Sequence, residues 1–241
     1  MFKKTKVVIL CGGMGHRFKG YIDDLPKPLI QIGEKPILWH IMKYYEYYGF
    51  KNFILCLGHM GNEIRNRFNN SRDGWSIVFA DTGLNTHTGG RIKRIEKYIN
   101  EDIFLATYGD GLSDIDLNKL MEFHKKKTKI ATITCVKPHS PFGMVNIDRD
   151  ELVTSFDEKP LLDQWINGGF FVFDRRIFKY LDDNDILEKK PFERLASEKE
   201  LVAYRLKGFW KCMDTYKDHL DLNEIWENGD PRWAKWLKRS K

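Results

Sequence analysis

Cysteine is scarce in this chain. The 241 residues include four cysteines, at positions 11, 56, 135 and 212, and no two of them form a Cys-x-x-Cys pair. Such isolated cysteines are typical of buried free thiols in a reducing compartment. We therefore expect a cytoplasmic protein without disulfide bonds.

Long hydrophobic runs are absent as well. The longest apolar stretches have the length of a strand, so no segment of the sequence is expected to cross a membrane. The basic segment Met1–Lys6 precedes an apolar run that is too short for a signal peptide and lacks a cleavage site. We expect no signal peptide and no membrane partner.

Two common phosphate-binding motifs are also missing. The P-loop string Gly-x-x-x-x-Gly-Lys-Ser/Thr does not occur. The dinucleotide-binding string Gly-x-Gly-x-x-Gly starts at Gly13 and Gly15, but Phe18 stands where its third glycine belongs. These departures argue against a P-loop enzyme and against a dinucleotide-dependent enzyme.

Positive charge is in slight excess. The formal net charge is +6, from 40 Lys and Arg against 34 Asp and Glu. The lysines are scattered apart from clusters at 125–127 and 235–241, and no motif of a nucleic-acid-binding module accompanies them. We interpret these clusters as solvated faces and expect no nucleic-acid partner.

A glycine-rich segment near the start carries the strongest functional signal. The apolar run Val7–Leu10 predicts a buried parallel strand, and Cys11-Gly12-Gly13-Met14-Gly15-His16-Arg17 follows it directly. Glycines let a backbone turn tightly and point its N–H groups at an anion. Arg17, together with Lys27 between two prolines, adds two cations beside this turn. The pattern predicts a site for a phosphate-rich ligand.

The same segment resembles a known signature. Gly12–Arg17 with Pro26-Lys27-Pro28 is similar to the signature of the sugar-phosphate nucleotidylyltransferases, and Ile32–Met42 resembles their glucose-1-phosphate cytidylyltransferase branch. The likeness extends over nearly the whole chain. Two departures are that His16 replaces the usual threonine and that only Asn69–Ala80 stands where this branch carries a long insertion. The resemblance implies transfer of CMP from CTP to a small phosphorylated metabolite, with release of pyrophosphate, for surface polysaccharide or capsule precursors.

The resemblance also implies which residues bind the nucleotide. Arg17 and Lys27 would be catalytic cations that hold the triphosphate and the departing pyrophosphate. The small and hydroxyl residues at 88–90 would leave N–H groups free at the start of a helix. The predicted nucleotide contacts are Leu10, Gly12, Gly13, Met14, Gly15, Thr88, Gly89, Gly90, Arg91 and Gly109.

Two aspartates far apart in the chain are the implied metal ligands. Asp110 follows the apolar strand Ile103–Ala106, and ligands of an open α/β sheet bind outside the carboxyl ends of its strands. By resemblance, Asp110 and Asp214 share one Mg²⁺, an ion that takes one or two protein carboxylates together with substrate phosphates. Read in isolation, Asp110 between its glycines would be an ordinary turn residue.

The acceptor site is implied by later segments. Glu158 and Lys159 would meet a hydroxyl group and the phosphate of the acceptor, and the turn Asn167-Gly168-Gly169 would let it lie close to the backbone, with Tyr108 nearby. Taken alone, Glu158 and Lys159 would be a surface ion pair at a strand end. The acceptor stays open between glucose 1-phosphate, which overall likeness favours, and phosphoglutamine, which the shortened segment allows.

Alternating strands and helices predict the fold. Their spacing indicates an α/β protein with a Rossmann-like, mostly parallel sheet flanked by helices. The resemblance makes this a nucleotidyltransferase fold of the GT-A-like type, with one domain over 1–241 and a small acceptor-binding β-hairpin at 143–156. The tail, with Trp226, Trp233 and Trp236, could pack on this domain or against another subunit of a homo-oligomer.

Two alternatives remain open at the level of sequence. A catalytically silent nucleotide-binding subunit would keep the fold, but it should have lost one of the four predicted ligands of nucleotide and metal, all of which are present. A UTP- or dTTP-dependent enzyme is the second alternative, because base choice depends on backbone contacts that a sequence does not reveal.

Overall fold

The chain folds around one seven-stranded sheet. The computed structural model describes residues 4–14 and 25–239. Its strands are β1 (Lys6–Leu10), β2 (Gln31–Ile32), β3 (Lys35–Pro36), β4 (Asn52–Leu57), β5 (Ser76–Asp81), β6 (Ile103–Tyr108), β7 (Gly111–Ser113), β8 (Ala131–Val136), β9 (Met144–Ile147), β10 (Val153–Asp157), β11 (Ile166–Asp174), β12 (Leu201–Arg205) and β13 (Trp210–Cys212). Its helices are α1 (Ile37–Tyr47), α2 (Gly61–Phe68), α3 (Thr88–Arg94), α4 (Leu117–Lys127), α5 (Lys190–Ser197) and α6 (Tyr216–Glu227).

The main sheet is mostly parallel, as predicted. Its strand order is β12-β8-β11-β6-β1-β4-β5. All neighbouring pairs are parallel except those that β11 makes with β6 and β8. The carboxyl ends of β1, β4, β5 and β6 therefore lie at the same edge as the start of β11, and this edge carries the candidate site.

The continuous apolar run of β1 reflects burial on both faces. Val7 and Ile9 belong to the hydrophobic core on one side of the sheet, and Val8 and Leu10 belong to the core on the other side. Val7, Val8 and Ile9 have no solvent exposure. A strand that is covered by helices on both faces has no polar side to alternate with, which is why the pattern predicted a central strand.

Residues that favour helix ends stand at the ends of α1 and α4. Pro36 stands at the N-cap of α1, and Gly49, with φ of +91°, follows its end. The Asp116 carboxylate caps α4 by accepting the N–H groups of Asn118 and Lys119. Asp114, two residues before this cap, accepts the N–H of Phe209 at 2.7 Å.

A small antiparallel sheet was not predicted. β7 pairs with β13, so that Gly111 lies opposite Cys212. Each of these strands has three residues, which is too short for an alternating pattern to be recognised. The pairing places the segment after β6 directly beside a segment from near the C-terminus.

The predicted hairpin at 143–156 is confirmed as the strands β9 and β10. Its apolar side chains are exposed, with Ile147 at 61% and Phe156 at 63%. Among the described residues, no helix is both long and apolar enough to pass through a membrane.

The tryptophan-rich tail packs on the domain. Trp233 is fully buried, and Trp226 and Trp236 are partly buried against the same core. The indole N–H of Trp233 donates to Nδ1 of His40 at 3.4 Å, while Nε2 of His40 lies 2.9 Å from the carbonyl oxygen of Ile32. His40 is therefore a neutral imidazole whose hydrogen is on Nε2, because a carbonyl only accepts.

This buried imidazole predicts a specific pH dependence of stability. Burial lowers the pKa of His40 to about 4, whereas an unfolded histidine titrates near pH 6.5. Between these values only the unfolded chain takes up the proton, so stability is present above pH 6.5 and falls as the pH drops. The His40 contribution to this loss between pH 7 and pH 5 is about 2 kcal/mol.

Urea unfolding of the wild type, His40→Gln and His139→Gln at pH 7 and pH 5 measures this effect. His139 is exposed and serves as the matched control. We expect His40→Gln to lose about 2 kcal/mol less than the wild type between the two pH values, and His139→Gln to behave as the wild type. An unchanged loss in His40→Gln would contradict the account.

Candidate active site

An open cleft of about 700 Å³ lies at the edge where β1 and β6 end and β11 begins. Half of the ten predicted nucleotide contacts and both predicted metal ligands line this cleft. The cleft is lined by Leu10, Gly12, Gly13, Thr86, His87, Thr88, Arg91, Thr107, Tyr108, Asp110, Gly111, Ile166, Asn167, Gly168, Gly169, Ile186, Glu188, Trp210, Cys212 and Asp214.

Lys27 joins the two predicted metal ligands. Its ammonium nitrogen lies 2.6 Å from Oδ2 of Asp110 and 2.7 Å from Oδ1 of Asp214. Burial alone would lower the pKa of Lys27, but the two carboxylates outweigh it and hold this pKa above its ordinary value. The ammonium is thus charged and neutralises a pair of carboxylates that would otherwise repel each other.

Backbone geometry creates this convergence. The N–H of Met213 donates to the carbonyl oxygen of Asp110 at 2.9 Å, which extends the β7–β13 ladder to the two aspartates. On the other side, Lys27 begins a 3-10 turn with a proline before and after it. The sequence expectation that Asp110 and Asp214 lie together is met, whereas their metal-binding role stays a prediction.

Arg91 binds the backbone at the start of the glycine turn. One guanidinium nitrogen of Arg91 donates to the carbonyl oxygen of Gly12 at 2.8 Å, and the N–H of His59 donates to the same oxygen at 3.2 Å. A Cβ at Gly12 would lie 2.2 Å from the Arg91 guanidinium. Glycine is required at position 12 because the arginine occupies that space.

Arg91 connects the ends of three strands. It is 4% exposed and donates to the carbonyl oxygens of Leu57 and Gly83 and to the hydroxyl oxygen of Thr82, at 2.7–3.0 Å. Burial lowers its pKa. The guanidinium lines the cleft, but the hydrogen bonds described for it go to neutral oxygens of the protein. Contact with the nucleotide stays a prediction.

The glycines at the start of α3 serve a different purpose from the predicted one. The N–H of Gly90 donates to the carbonyl oxygen of Asp185 at 3.0 Å, so it is not free for an anion. A Cβ at Gly89 would meet Asp185 and one at Gly90 would meet Asp183, at 2.8 Å and 2.0 Å from their carbonyl oxygens. These glycines allow the segment before α5 to pack closely on α3. The expectation of a free N–H at Gly90 was wrong.

The other predicted nucleotide contacts either follow the ends of β1 and β6 or lie outside the described residues. Gly13 lines the cleft, while Met14 is 37% exposed and is not among the described lining residues. Gly109 connects the ends of β6 and β1 through its N–H, which donates to the carbonyl oxygen of Leu10 at 3.1 Å. Gly15 and Arg17 lie outside the described residues.

The opposite wall is built around the ring of Tyr108. Gly168 and Gly169 lie within β11, at a register irregularity, rather than in a turn before the strand as predicted. Gly169 has φ of +75°, and a Cβ there would lie 2.4 Å from the Tyr108 ring. The indole N–H of Trp210 donates to the carbonyl oxygen of Gly168 at 2.7 Å. The double glycine lets the strand pass between two aromatic rings.

Glu158 and Lys159 pair with each other. Their side chains are 3.1 Å apart and 61% and 48% exposed, on the segment after β10. Neither is found among the described residues that line the cleft. The geometry matches the surface ion pair considered as the alternative, and their contact with an acceptor stays a prediction.

Sequence reasoning did not single out several of the described lining residues, among them Glu188, Trp210 and Cys212. Glu188 belongs to no motif and precedes α5, and its carboxylate accepts the hydroxyl hydrogen of Thr88 at 2.7 Å. Trp210 and Cys212 stand in β13, whose pairing the sequence did not reveal. The Cys212 thiol donates to Asp214 at 3.6 Å, and burial raises its pKa to about 12.

The contacts of Arg91 predict a large effect on stability. Arg91→Met removes the donors from several buried carbonyl oxygens, and we expect a loss of about 3 kcal/mol in the free energy of unfolding. Arg194→Met is the matched control, because the Arg194 side chain is 59% exposed and pairs with the exposed Glu198; we expect less than about 1 kcal/mol there. Denaturant titration measures both, and equal losses would contradict the assignment.

Comparison with known proteins places the chain in a family. Residues 6–228 match the family model described as nucleotidyl transferase. The probable glucose-1-phosphate cytidylyltransferase of Bacillus subtilis (strain 168) is 42% identical, with 96% of this chain and 100% of the relative covered. The glucose-1-phosphate cytidylyltransferase of Salmonella typhi is 40% identical, with 96% and 99% covered.

The solved structures agree with the sequence comparison. HddC from Yersinia pseudotuberculosis, complexed with GMP-PN, superposes with a TM-score of 0.73 at 27% identity, over 92% of this chain and 99% of that one. UDP-glucose pyrophosphorylase, at 16% identity and a TM-score of 0.73, shares the fold. The chain belongs to the nucleotidyl transferase family, in the branch that contains the glucose-1-phosphate cytidylyltransferases.

Proposed function

We propose that this protein is a CTP-dependent cytidylyltransferase that moves CMP to a small phosphorylated metabolite and releases pyrophosphate. The observation that carries the proposal is that Asp110 and Asp214 line one open cleft together with Gly12 and Gly13, and that Lys27 binds both carboxylates. The relatives that are 40–42% identical over 96% of the chain are glucose-1-phosphate cytidylyltransferases, which supports CTP as the donor.

The proposed cofactor is Mg²⁺, held by Asp110 and Asp214. The donor set fits this ion, because two carboxylates at the mouth of a phosphate-binding cleft leave its other positions to phosphate oxygens and water. Within residues 4–14 and 25–239, no cluster of three or more acidic, histidine or cysteine side chains is arranged for a metal. When bound, the ion would neutralise charge on the triphosphate as pyrophosphate departs.

The reaction needs alignment and charge neutralisation from the protein. An oxygen of the acceptor phosphate attacks the α-phosphorus of CTP in line, a new P–O bond forms, and the bond to the β-phosphate oxygen breaks. The attacking oxygen is already an anion, so neither a general base nor a covalent intermediate is required. Lys27 supplies a fixed positive charge between Asp110 and Asp214, and the N–H groups of Gly12 and Gly13 are the proposed backbone donors.

A sugar 1-phosphate is the proposed acceptor, with glucose 1-phosphate first. The relatives' activity favours it, and phosphoglutamine stays the second candidate because of the short Asn69–Ala80 segment. The alignments with the two cytidylyltransferases run over 254 and 256 positions, more than the 241 residues of this chain, so these relatives carry residues that it lacks. The product would be CDP-glucose, a precursor for surface polysaccharide made in the cytoplasm.

A pyrophosphate-release assay tests donor and acceptor together. The donors are CTP, UTP, dTTP and GTP, and the acceptors are glucose 1-phosphate, mannose 1-phosphate and phosphoglutamine. We expect release with CTP and glucose 1-phosphate to exceed every other combination. Release with CTP and phosphoglutamine alone would replace the acceptor, and no release with CTP and any acceptor would overturn the proposed function.

Removal of the central charges should abolish most turnover. Asp110→Asn and Lys27→Ala are each expected to lower kcat at least about 100-fold, on the order of 3 kcal/mol of transition-state stabilisation, while circular dichroism shows a retained fold. The matched control is the exposed pair Lys137–Asp163, whose N–O distance is also 2.6 Å. Lys137→Ala and Asp163→Asn should keep kcat within about twofold. Full activity of Asp110→Asn would refute the assignment.

A further inference from the structure

A row of hydrogen-bonded side chains lies along one wall of the cleft. The Asn167 side-chain amide nitrogen donates to the Tyr108 hydroxyl oxygen at 3.2 Å, and that hydroxyl donates to Oε1 of Glu188. These three residues, here called the Tyr108 relay, come from the start of β11, the end of β6 and the segment before α5. All three line the cleft.

The carboxylate of Glu188 sets the direction of the relay. An ionised carboxylate only accepts hydrogen bonds, and a tyrosine hydroxyl has one hydrogen. The hydrogen of Tyr108 is therefore committed to Glu188, and the Tyr108 oxygen is left to accept. Only the NH₂ end of the Asn167 amide can donate to it.

A second contact fixes the same amide independently. The backbone N–H of Gly169 donates to Oδ1 of Asn167 at 2.9 Å. A reversed amide would place its NH₂ group against this N–H, two donors with no acceptor, and its oxygen against the Tyr108 oxygen, two acceptors with no hydrogen between them. The two constraints agree, and after both are met the Asn167 NH₂ group keeps one hydrogen for a ligand.

Glu188 is held in place although its side chain is exposed. Oε2 accepts the hydroxyl hydrogen of Thr88 at 2.7 Å, and the Thr88 oxygen accepts the N–H of Leu187 at 2.9 Å. The side chain of Leu187 is fully buried in the core beneath α5. Burial, with Glu188 beside it, raises the pKa of Tyr108 well above its ordinary value, so its hydroxyl stays protonated.

We propose that Tyr108 and Glu188 are positioning residues that hold the Asn167 amide as a hydrogen-bond donor to an oxygen atom of the phosphorylated acceptor. This inference rests on the proposed function and on the sequence prediction that Asn167 belongs to the acceptor site. It deepens that function by stating what the acceptor must present here: a hydroxyl, ring or phosphate oxygen with a free lone pair. An oxygen-rich acceptor such as a sugar phosphate meets this requirement.

The relay predicts an effect opposite to that of simple electrostatics. If Glu188 acted only as a negative charge near an anionic ligand, its removal would tighten acceptor binding. The relay predicts weaker binding, because the Tyr108 hydroxyl is then free to rotate and the amide loses its fixed orientation. Substitution of Glu188 therefore separates the two views by the sign of the change.

Steady-state kinetics with CTP and glucose 1-phosphate tests the proposal. Tyr108→Phe and Glu188→Ala should each raise the acceptor KM about tenfold and leave the KM for CTP within about twofold. Glu188→Gln keeps a carbonyl oxygen for Tyr108 and should stay within about threefold of the wild type. Asn167→Ala, as the reference, should raise the acceptor KM at least as much as Tyr108→Phe does.

The chain offers a matched control pair. The Tyr180 hydroxyl donates to the Glu198 carboxylate in an exposed tyrosine–glutamate pair. Tyr180 ends the 3-10 segment Arg175–Tyr180, and Glu198 follows the end of α5. Tyr180→Phe and Glu198→Ala should leave both KM values within about twofold. Urea unfolding of each variant shows whether it is folded.

The outcomes separate this inference from the proposed function. If Asn167→Ala raises the acceptor KM but Tyr108→Phe and Glu188→Ala do not, or if Glu188→Ala lowers it, the relay is wrong and the proposed function stands. If Asn167→Ala itself leaves the acceptor KM unchanged, Asn167 is not an acceptor contact, and the relay falls with that assignment. Equal rises in both KM values in Glu188→Ala would also overturn the proposal.

Discussion

One partly buried cation between two carboxylates organises the site. Two negative charges about 4 Å apart repel by about 4 kcal/mol at the effective dielectric of a protein surface. The Lys27 ammonium, within 2.7 Å of both Asp110 and Asp214, offsets this cost. A divalent ion that arrives with a triphosphate would meet the same requirement. Asp110 and Asp214 can therefore lie close together only where a positive charge is near them, and the fold places Lys27 there.

The surrounding fold serves mainly to keep these three residues together. The β7–β13 ladder fixes the two aspartates in register. The Asp114 carboxylate supports this ladder, because it binds the N–H of Phe209, just before β13, and pairs with Arg232 of the tail at 2.6 Å. The packing of Trp233 on α1 holds the C-terminal segment against the domain, and Arg232 of this segment reaches the ladder that carries Asp110 and Asp214 through its ion pair with Asp114. Arg91 likewise holds the start of the glycine turn, through its hydrogen bond to the carbonyl oxygen of Gly12.

The elements that the sequence predicted are those with a strong local signal. β1 was recognised from an apolar run that is buried on both faces, and the hairpin β9–β10 from two apolar segments on either side of a polar turn. β7 and β13 were missed, because three-residue strands gain their stability from partners far away in the chain. For the same reason the meeting of Asp110 and Asp214 followed from resemblance and not from spacing.

The same holds for the site residues: those with a local sequence signal were found, and those that depend on distant contacts were missed or misread. The glycines at 12 and 13 were placed correctly in the cleft by their position after a strand. The reason for Gly89 and Gly90 lies in contacts with Asp183 and Asp185, which no local pattern reports. Glu188 was missed because its partners, Tyr108 and Thr88, are about 80 and 100 residues away, a separation at which side-chain hydrogen bonds leave no periodic trace.

The most direct test of the central claim is a measurement of metal binding. Electron paramagnetic resonance can count Mn²⁺ bound to the protein in the presence of a non-hydrolysable CTP analogue, for the wild type, Asp110→Asn and Asp214→Asn. The account predicts one bound ion per chain in the wild type and an affinity at least tenfold weaker in each variant. Wild-type Mn²⁺ affinity in either variant would contradict it.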